Sequence, residues 1–67
     1  MDKAFIGELL ALLDRAKELR DSALVSGAPA GVHAQLGAAA NFLSGAVSTT
    51  RAANPEAFDA AMKTRTL

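Results

Sequence analysis

The side chains of this sequence that could do chemistry are few and scattered. His33 is the only histidine, and the chain has no cysteine. A catalytic histidine needs a nucleophile and an orienting partner, but the residues around His33 are mainly alanine and glycine. A metal site would need further histidines, thiolates or clustered carboxylates. We therefore interpret His33 as a solvated or hydrogen-bonded side chain near a helix start, and we predict no catalytic residue, metal or cofactor.

Two carboxylates, Asp14 and Glu18, are spaced one helical turn apart. A carboxylate pair can serve acid–base catalysis only inside a cleft, which two helices cannot build. Because Arg15 and Lys17 lie beside them in sequence, a solvated charged face is the simpler interpretation. We predict that the protein is not an enzyme.

Phosphate and nucleic-acid binding are also disfavoured. The stretch 27–31, GAPAG, lacks the GxxxxGK[ST] pattern of a phosphate loop. Arg15, Lys17 and Arg20 alternate with acidic residues, so they form no basic stripe. The seven basic and seven acidic residues give a net charge of zero. The sequence predicts no nucleic-acid partner.

The charges lie at the two ends of the chain. Residues 22–50 contain no Asp, Glu, Lys or Arg. A chain of 67 residues forms one small domain, predicted over 1–67, and buries only about 60% of its unfolded surface. No disulfide can stabilise it, because cysteine is absent. We therefore expect another chain to complete its core.

The first element is predicted to be an amphipathic helix over about 2–25. Asp2 is placed to cap its start, and Ser26-Gly27 to end it. Apolar residues recur at alternating spacings of four and three, as on one helical face. This face comprises Phe5, Leu9, Leu12, Ala16, Leu19 and Ala23. Ile6, Leu10 and Leu13 widen it to nearly half of the circumference.

A short turn over 26–30 leads into a second predicted helix over about 31–52. Pro29 suits the first turn of that helix, where a missing N–H costs nothing. A connection this short returns the chain antiparallel, as a helical hairpin. The face predicted to pack on the first helix, broadened by Val47, comprises Val32, Leu36, Ala39, Leu43, Ala46 and Thr50.

The opposite face of the second helix is small and uncharged. This small face comprises Ala34, Ala38, Asn41, Gly45, Ser48 and Ala52. It is either a surface rich in good helix formers or a face kept small so that another backbone can approach closely; we favour the second interpretation. Asn41 either fixes register or oligomer state or is plain solvated surface.

A short third helix is predicted over about 55–64. Asn54-Pro55-Glu56 is a typical helix start. Its apolar patch comprises Ala57, Phe58, Ala61 and Met62. We expect two turns or a frayed tail, which folds back over the hairpin or makes a further contact. The predicted fold class is all-α, an antiparallel hairpin with a short third helix.

Targeting signals are not apparent. Asp2 and Lys3 at the N-terminus and recurring charges do not fit a secretory signal. Glycine, proline and polar residues interrupt the uncharged middle, which does not fit a run of about 20 predominantly apolar residues. We predict no membrane span and a cytoplasmic location.

One family resemblance extends over roughly residues 9–48. Gly27-Ala28 follows the first helix, Leu36 and Leu43 come nine and sixteen residues after Gly27, and the motif SGAV occupies 44–47. This pattern resembles the small co-chaperones of type III secretion needle proteins. The resemblance implies a cytoplasmic helical hairpin that supports a helical-repeat chaperone, so that the needle subunit does not polymerise early. It also implies that Leu36, Leu43 and Val47, with Leu9, Leu12 and Leu19 facing them, serve the hairpin core and the chaperone contact.

The leading functional hypothesis is therefore a non-enzymatic protein-interaction module of the co-chaperone kind. The alternatives are a self-assembling homo-oligomeric bundle and a small helical regulator of a larger protein. The predicted partner-binding residues are Phe5, Leu9, Leu12, Leu19, Leu36, Leu43, Val47, Ala38, Asn41 and Gly45.

Overall fold

A computed structural model describes residues 2–65, and this part of the chain folds into three helices without strands. Helix α1 spans Lys3–Val25, α2 spans Ala30–Ala53 and α3 spans Pro55–Arg65. Each helix boundary lies within one residue of its predicted position. The predicted all-α class with a short third helix is confirmed. With 11 residues, α3 has about three turns, so the prediction of two turns was wrong.

Helix α1 is fixed at its start by a side-chain cap. Asp2 has an extended backbone, and its Oδ1 accepts a 2.9 Å hydrogen bond from the Phe5 N–H. The first N–H groups of a helix have no partner within the helix, and a cap of this type contributes about 0.5–2 kcal/mol. The predicted cap is confirmed.

The connection after α1 is a tight left-handed turn. Gly27 has a φ of +74°, and the Ala28 N–H donates to the Ala23 carbonyl at 3.0 Å. This pair of features defines a Schellman motif, which satisfies the last carbonyls of the helix. Pro29 lies just before α2 with an extended ψ of 147°, so it caps the helix instead of occupying its first turn as predicted.

The core consists of two small clusters that share one residue. The cluster between α1 and α2 contains Leu13, Ala16, Ala40, Leu43 and Val47. The cluster between α1 and α3 contains Ile6, Leu10, Phe58 and Ala61, with Val47, Ala57 and Met62 at its edge. Val47 therefore links all three helices. The predicted apolar patch of α3 lies in this core, so α3 folds back over the first two helices.

The buried residues of α1 all belong to the wide apolar face predicted for it, but part of that face is exposed. Its buried residues are Ile6, Leu10, Leu13, Ala16 and Ala23. Of the predicted face, Phe5, Leu12 and Leu19 are exposed. Ile6, Leu10 and Leu13 have the same spacing as Phe5, Leu9 and Leu12 and lie one residue later. Periodicity therefore does not decide which of these two sets is buried. The third helix decides, because Phe58 and Ala61 pack on Ile6 and Leu10 and bury that edge.

The packing face of α2 agrees with the predicted one in part. Of the predicted residues, Thr50 is buried and Leu36, Leu43 and Val47 are half-buried, whereas Val32, Ala39 and Ala46 are exposed. Ala40, which was not predicted, is buried. Thr50 was predicted correctly, and its hydroxyl donates to the Ala46 carbonyl at 2.8 Å. Alanine occurs on every side of this helix, so hydrophobicity alone separates its faces poorly.

Two side-chain contacts that involve arginine join α3 to the other helices. The Arg51 guanidinium of α2 lies 4.8 Å from the centre of the Phe58 ring, within the range of a cation–π interaction. Arg65 forms an ion pair with Asp14 of α1. The Asn54 carbonyl accepts the first backbone bond of the helix, from the Phe58 N–H at 2.9 Å, as the predicted start requires.

Candidate interaction surfaces

The polar residues singled out for chemistry are dispersed in the structure. His33 is half-buried near the start of α2. Asp14 pairs with Arg65, and Glu18 pairs with Arg15 at 3.1 Å. Among residues 2–65, no three His, Cys, Asp or Glu side chains are grouped so that they could hold a metal ion. The exposed surfaces with an unusual composition are instead uncharged or apolar ones.

The small face of α2 is entirely exposed. All six of its residues, Ala34, Ala38, Asn41, Gly45, Ser48 and Ala52, are exposed to solvent. It lies opposite the residues that pack on α1, in agreement with the helical period. An uncharged helix face of this kind usually faces protein, since exposed faces normally carry charge.

Gly45 shows that the fold of this chain does not require the small face to be small. A Cβ atom built at Gly45 meets nothing within 4 Å. Glycine in a helix interior costs about 1 kcal/mol relative to alanine. No contact within this chain requires glycine at this position, and the same holds for Gly7 and Gly31.

Phe42 is the largest apolar group beside the small face, and the sequence analysis did not single it out. Its side chain is 81% exposed and borders a shallow depression lined also by Ala38 and Asn41. Its position falls outside the four-and-three stripe that was assigned to the core. An aromatic residue outside the core stripe of an uncharged helix is the signal that could have identified it.

A second exposed apolar surface lies on α1. We call it the α1 stripe, and it comprises Phe5, Leu9, Leu12 and Leu19. Phe5 is 51% exposed, Leu12 55% and Leu19 40%, and Leu9 is half-buried. Phe5, Leu9 and Leu12 line a shallow groove together with Glu8.

The remaining predicted partner-binding residues lie between core and surface. Leu36, Leu43 and Val47 are half-buried, and Leu43 and Val47 pack on the core clusters. The ten predicted residues therefore divide into three groups: the α1 stripe, the core-supporting residues and the small face. The leucines of the α1 stripe were expected to share the hairpin core with the core-supporting residues, but Leu12 and Leu19 lie outside it.

The tip formed by the end of α1 is apolar as well. Leu24 and Val25 are both exposed, Val25 by 90%. They follow the charged part of α1, where the Arg20 Nε atom lies 3.1 Å from an Asp21 carboxylate oxygen. The helical periodicity of the sequence did not predict this tip.

The comparisons with known proteins identify no relative: no protein-family model, curated protein or solved structure matches this sequence. Among the described helices, none has the length and apolar character that crossing a bilayer requires.

Proposed function

We propose that this chain is a non-enzymatic protein-interaction module whose small face and Phe42 dock against another helical protein. The observation that supports this proposal best is the exposure of a complete uncharged face of α2 with an almost fully exposed phenylalanine beside it. Exposed apolar patches of this kind mark interaction sites more often than inert surface.

The chemistry of the small face suits a helix as its partner. Helix axes approach to about 8 Å only where the contacting side chains are small. Ala38 and Gly45 supply such side chains, and the Asn41 amide can hydrogen-bond to a partner. No charge has to be desolvated on this face. Phe42 at its edge supplies the aromatic anchor typical of interaction hot spots.

The proposal includes an antiparallel arrangement of α1 and α2, so that the small face runs along the outside of a hairpin. Three contacts support it. Gly37 lies beside the Arg20 side chain, Ala40 packs with Leu13 and Ala16, and Val47 packs near Ile6 and Leu10. The contacted residue number on α1 falls as the number on α2 rises, which is the signature of antiparallel neighbours.

For the particular partner, we propose the role that the sequence resemblance implies. The chain would act in the cytoplasm as a co-chaperone of a type III secretion needle subunit, bound to a helical-repeat chaperone. Leu36 and Leu43, which carry the resemblance, are half-buried in this structure. In this role they hold α2 against α1, and the outer face of α2 is left for the chaperone.

Co-expression tests this proposal. The chain is tagged and expressed with a small helical-repeat chaperone of the kind that the resemblance implies, and we expect the two to co-purify. Gly45→Arg should abolish co-purification, because a long charged side chain keeps the two backbones apart. Phe42→Ala should weaken it by about 1 kcal/mol or more.

Ala11→Arg is the matched control, since it places the same side chain at an exposed alanine of α1. We expect this variant to co-purify like the natural sequence. If Gly45→Arg retains the partner, the small face is not the docking surface. If no such partner co-purifies and the chain is a monomer that unfolds cooperatively, the co-chaperone proposal is wrong.

A further inference from the structure

The α1 stripe carries a pattern that is complementary to itself. Phe5, Leu12 and Leu19 are spaced seven residues apart, so they form one line along α1. Leu12 is the midpoint of this line. If a second α1 is laid antiparallel across the stripe, Leu12 meets Leu12, and Phe5 of each copy meets Leu19 of the other.

The charges beside the stripe follow the same symmetry. Glu8 and Arg15 lie on the same edge of the stripe, four residues before Leu12 and three residues after it. In the antiparallel pairing, Glu8 of each copy therefore lies next to Arg15 of the other copy. In a parallel two-fold pairing, these edges of the two helices lie on opposite sides of the contact, so Glu8 and Arg15 of different copies do not meet.

Arg15 is available for such a pair. Its guanidinium lies 3.1 Å from Glu18, and both side chains are 64% exposed. An ion pair this exposed contributes little to stability, so Arg15 can exchange Glu18 for Glu8 of another copy at little cost. Glu8 already lines the groove formed by Phe5, Leu9 and Leu12.

The third helix leaves this side of the molecule open. Helical residues advance by about 100° each. Ile6 and Leu10 contact α3, and they lie roughly 140° around α1 from the line of Phe5, Leu12 and Leu19. Leu13 and Ala16, which pack against α2, lie between these two sides. On α2, Arg51 lies on the side that faces α3, since its guanidinium contacts the Phe58 ring. Ala39 and Ala46 are exposed and lie on the other side of α2.

We propose that a second copy of this chain covers the α1 stripe, in a two-fold dimer with the two α1 helices antiparallel. With α1 and α2 antiparallel, as proposed above, the exposed sides of both helices point the same way. Two copies then form a four-helix bundle in which every neighbouring pair of helices is antiparallel. Isologous two-fold contacts are the commonest form of self-assembly.

The exposed area is consistent with such a contact. The accessible surface of the chain is 4607 Å². A compact monomer of its mass exposes about 4,000 Å², so the excess is about 600 Å². A stable dimer interface covers about 800 Å² on each partner. The chain thus exposes more surface than a compact monomer of its mass, as a protomer with an uncovered interface does.

Sedimentation of the isolated full chain over a range of concentrations tests the proposal. We expect a reversible monomer–dimer equilibrium. Leu12→Lys should raise the dissociation constant by about tenfold or more, because it places two like charges at the centre of the contact. Gly45→Arg, on the other side of α2, should leave the dimer unchanged. A chain that remains monomeric, or a dimer that Leu12→Lys does not weaken, overturns the proposal.

Charge exchange tests the antiparallel register. Glu8→Arg alone and Arg15→Glu alone should each weaken self-association several-fold, because each brings like charges together. An equal mixture of the two variants should form the heterodimer in preference to either homodimer, as native mass spectrometry can show. Statistical mixing of the two variants would overturn the antiparallel pairing.

The same variants separate this inference from the proposed function. The dimer uses the α1 stripe, whereas the proposed partner uses the small face. Loss of the dimer in Leu12→Lys with partner capture intact supports two independent surfaces. If Leu12→Lys or Gly45→Arg abolishes both the dimer and the capture of the partner, the two contacts do not use separate surfaces, and the assignment of one occupant to each surface is wrong.

Discussion

At the scale of single residues, two glycines of this chain have opposite roles. Gly27 adopts a φ of +74°, which closes α1, and no other residue type adopts this conformation as readily. Gly45 lies in the regular part of α2, with open space around the position of a Cβ atom. The backbone explains the first glycine, whereas no contact within this chain explains the second.

Alanine substitution should therefore change stability in opposite directions at the two positions. Gly45→Ala should raise the free energy of unfolding by about 1 kcal/mol, because alanine is the better helix former. Gly27→Ala should lower it by about 1–2 kcal/mol, because a side chain is strained in the left-handed region. Thermal denaturation followed by circular dichroism measures both changes. A destabilising Gly45→Ala would mean that the glycine serves the chain's own packing.

At the scale of helices, α3 buries the edge of α1 that carries Ile6 and Leu10. Its Phe58 and Ala61 are each only 2% exposed and cover Ile6 and Leu10. The ion pair between Asp14 and Arg65 joins the same two helices, but both side chains are substantially exposed. Burial of apolar area should therefore account for nearly all of the attachment of α3.

Two substitutions compare these contributions. Phe58→Ala should lower the free energy of unfolding by about 3–5 kcal/mol, the usual cost of removing a buried phenylalanine. Asp14→Asn should lower it by less than about 1 kcal/mol, as is typical of exposed ion pairs. Urea denaturation of both variants beside the natural sequence gives the comparison. Equal losses would show that the ion pair carries more of the attachment than its exposure suggests.

At the scale of the whole molecule, the chain is a thin slab. Its Cα atoms extend over 40 × 24 × 12 Å, with a radius of gyration of 13.6 Å. A compact domain of this length has a radius of about 11 Å. A slab this thin exposes both of its broad faces to solvent.

The stability of the natural chain should consequently depend on its concentration. Self-association through the α1 stripe stabilises the folded state by mass action, so the melting temperature should rise as the protein is concentrated. In Leu12→Lys, this dependence should be weaker or absent. Calorimetry at several concentrations measures both. A melting temperature independent of concentration in the natural chain would falsify self-association.

The positions of the helices could be predicted because local chemistry fixes them. Asp2 caps α1, Gly27 ends it, and Asn54-Pro55 separates α2 from α3. Each signal acts on the few residues beside it. The exposure of the small face followed likewise from the helical period of a single segment.

The sequence by itself determined the three helices, their ends, the uncharged middle and the small face, because each depends on neighbouring residues or on one helical period. Only the tertiary structure decided which part of the wide apolar face of α1 is buried. Ile6 and Leu10 have the same spacing as Phe5 and Leu9, and they are buried because Phe58 and Ala61 of α3 pack on them. Phe5, Leu12 and Leu19 remain exposed, and the other side of α1 is part of the core.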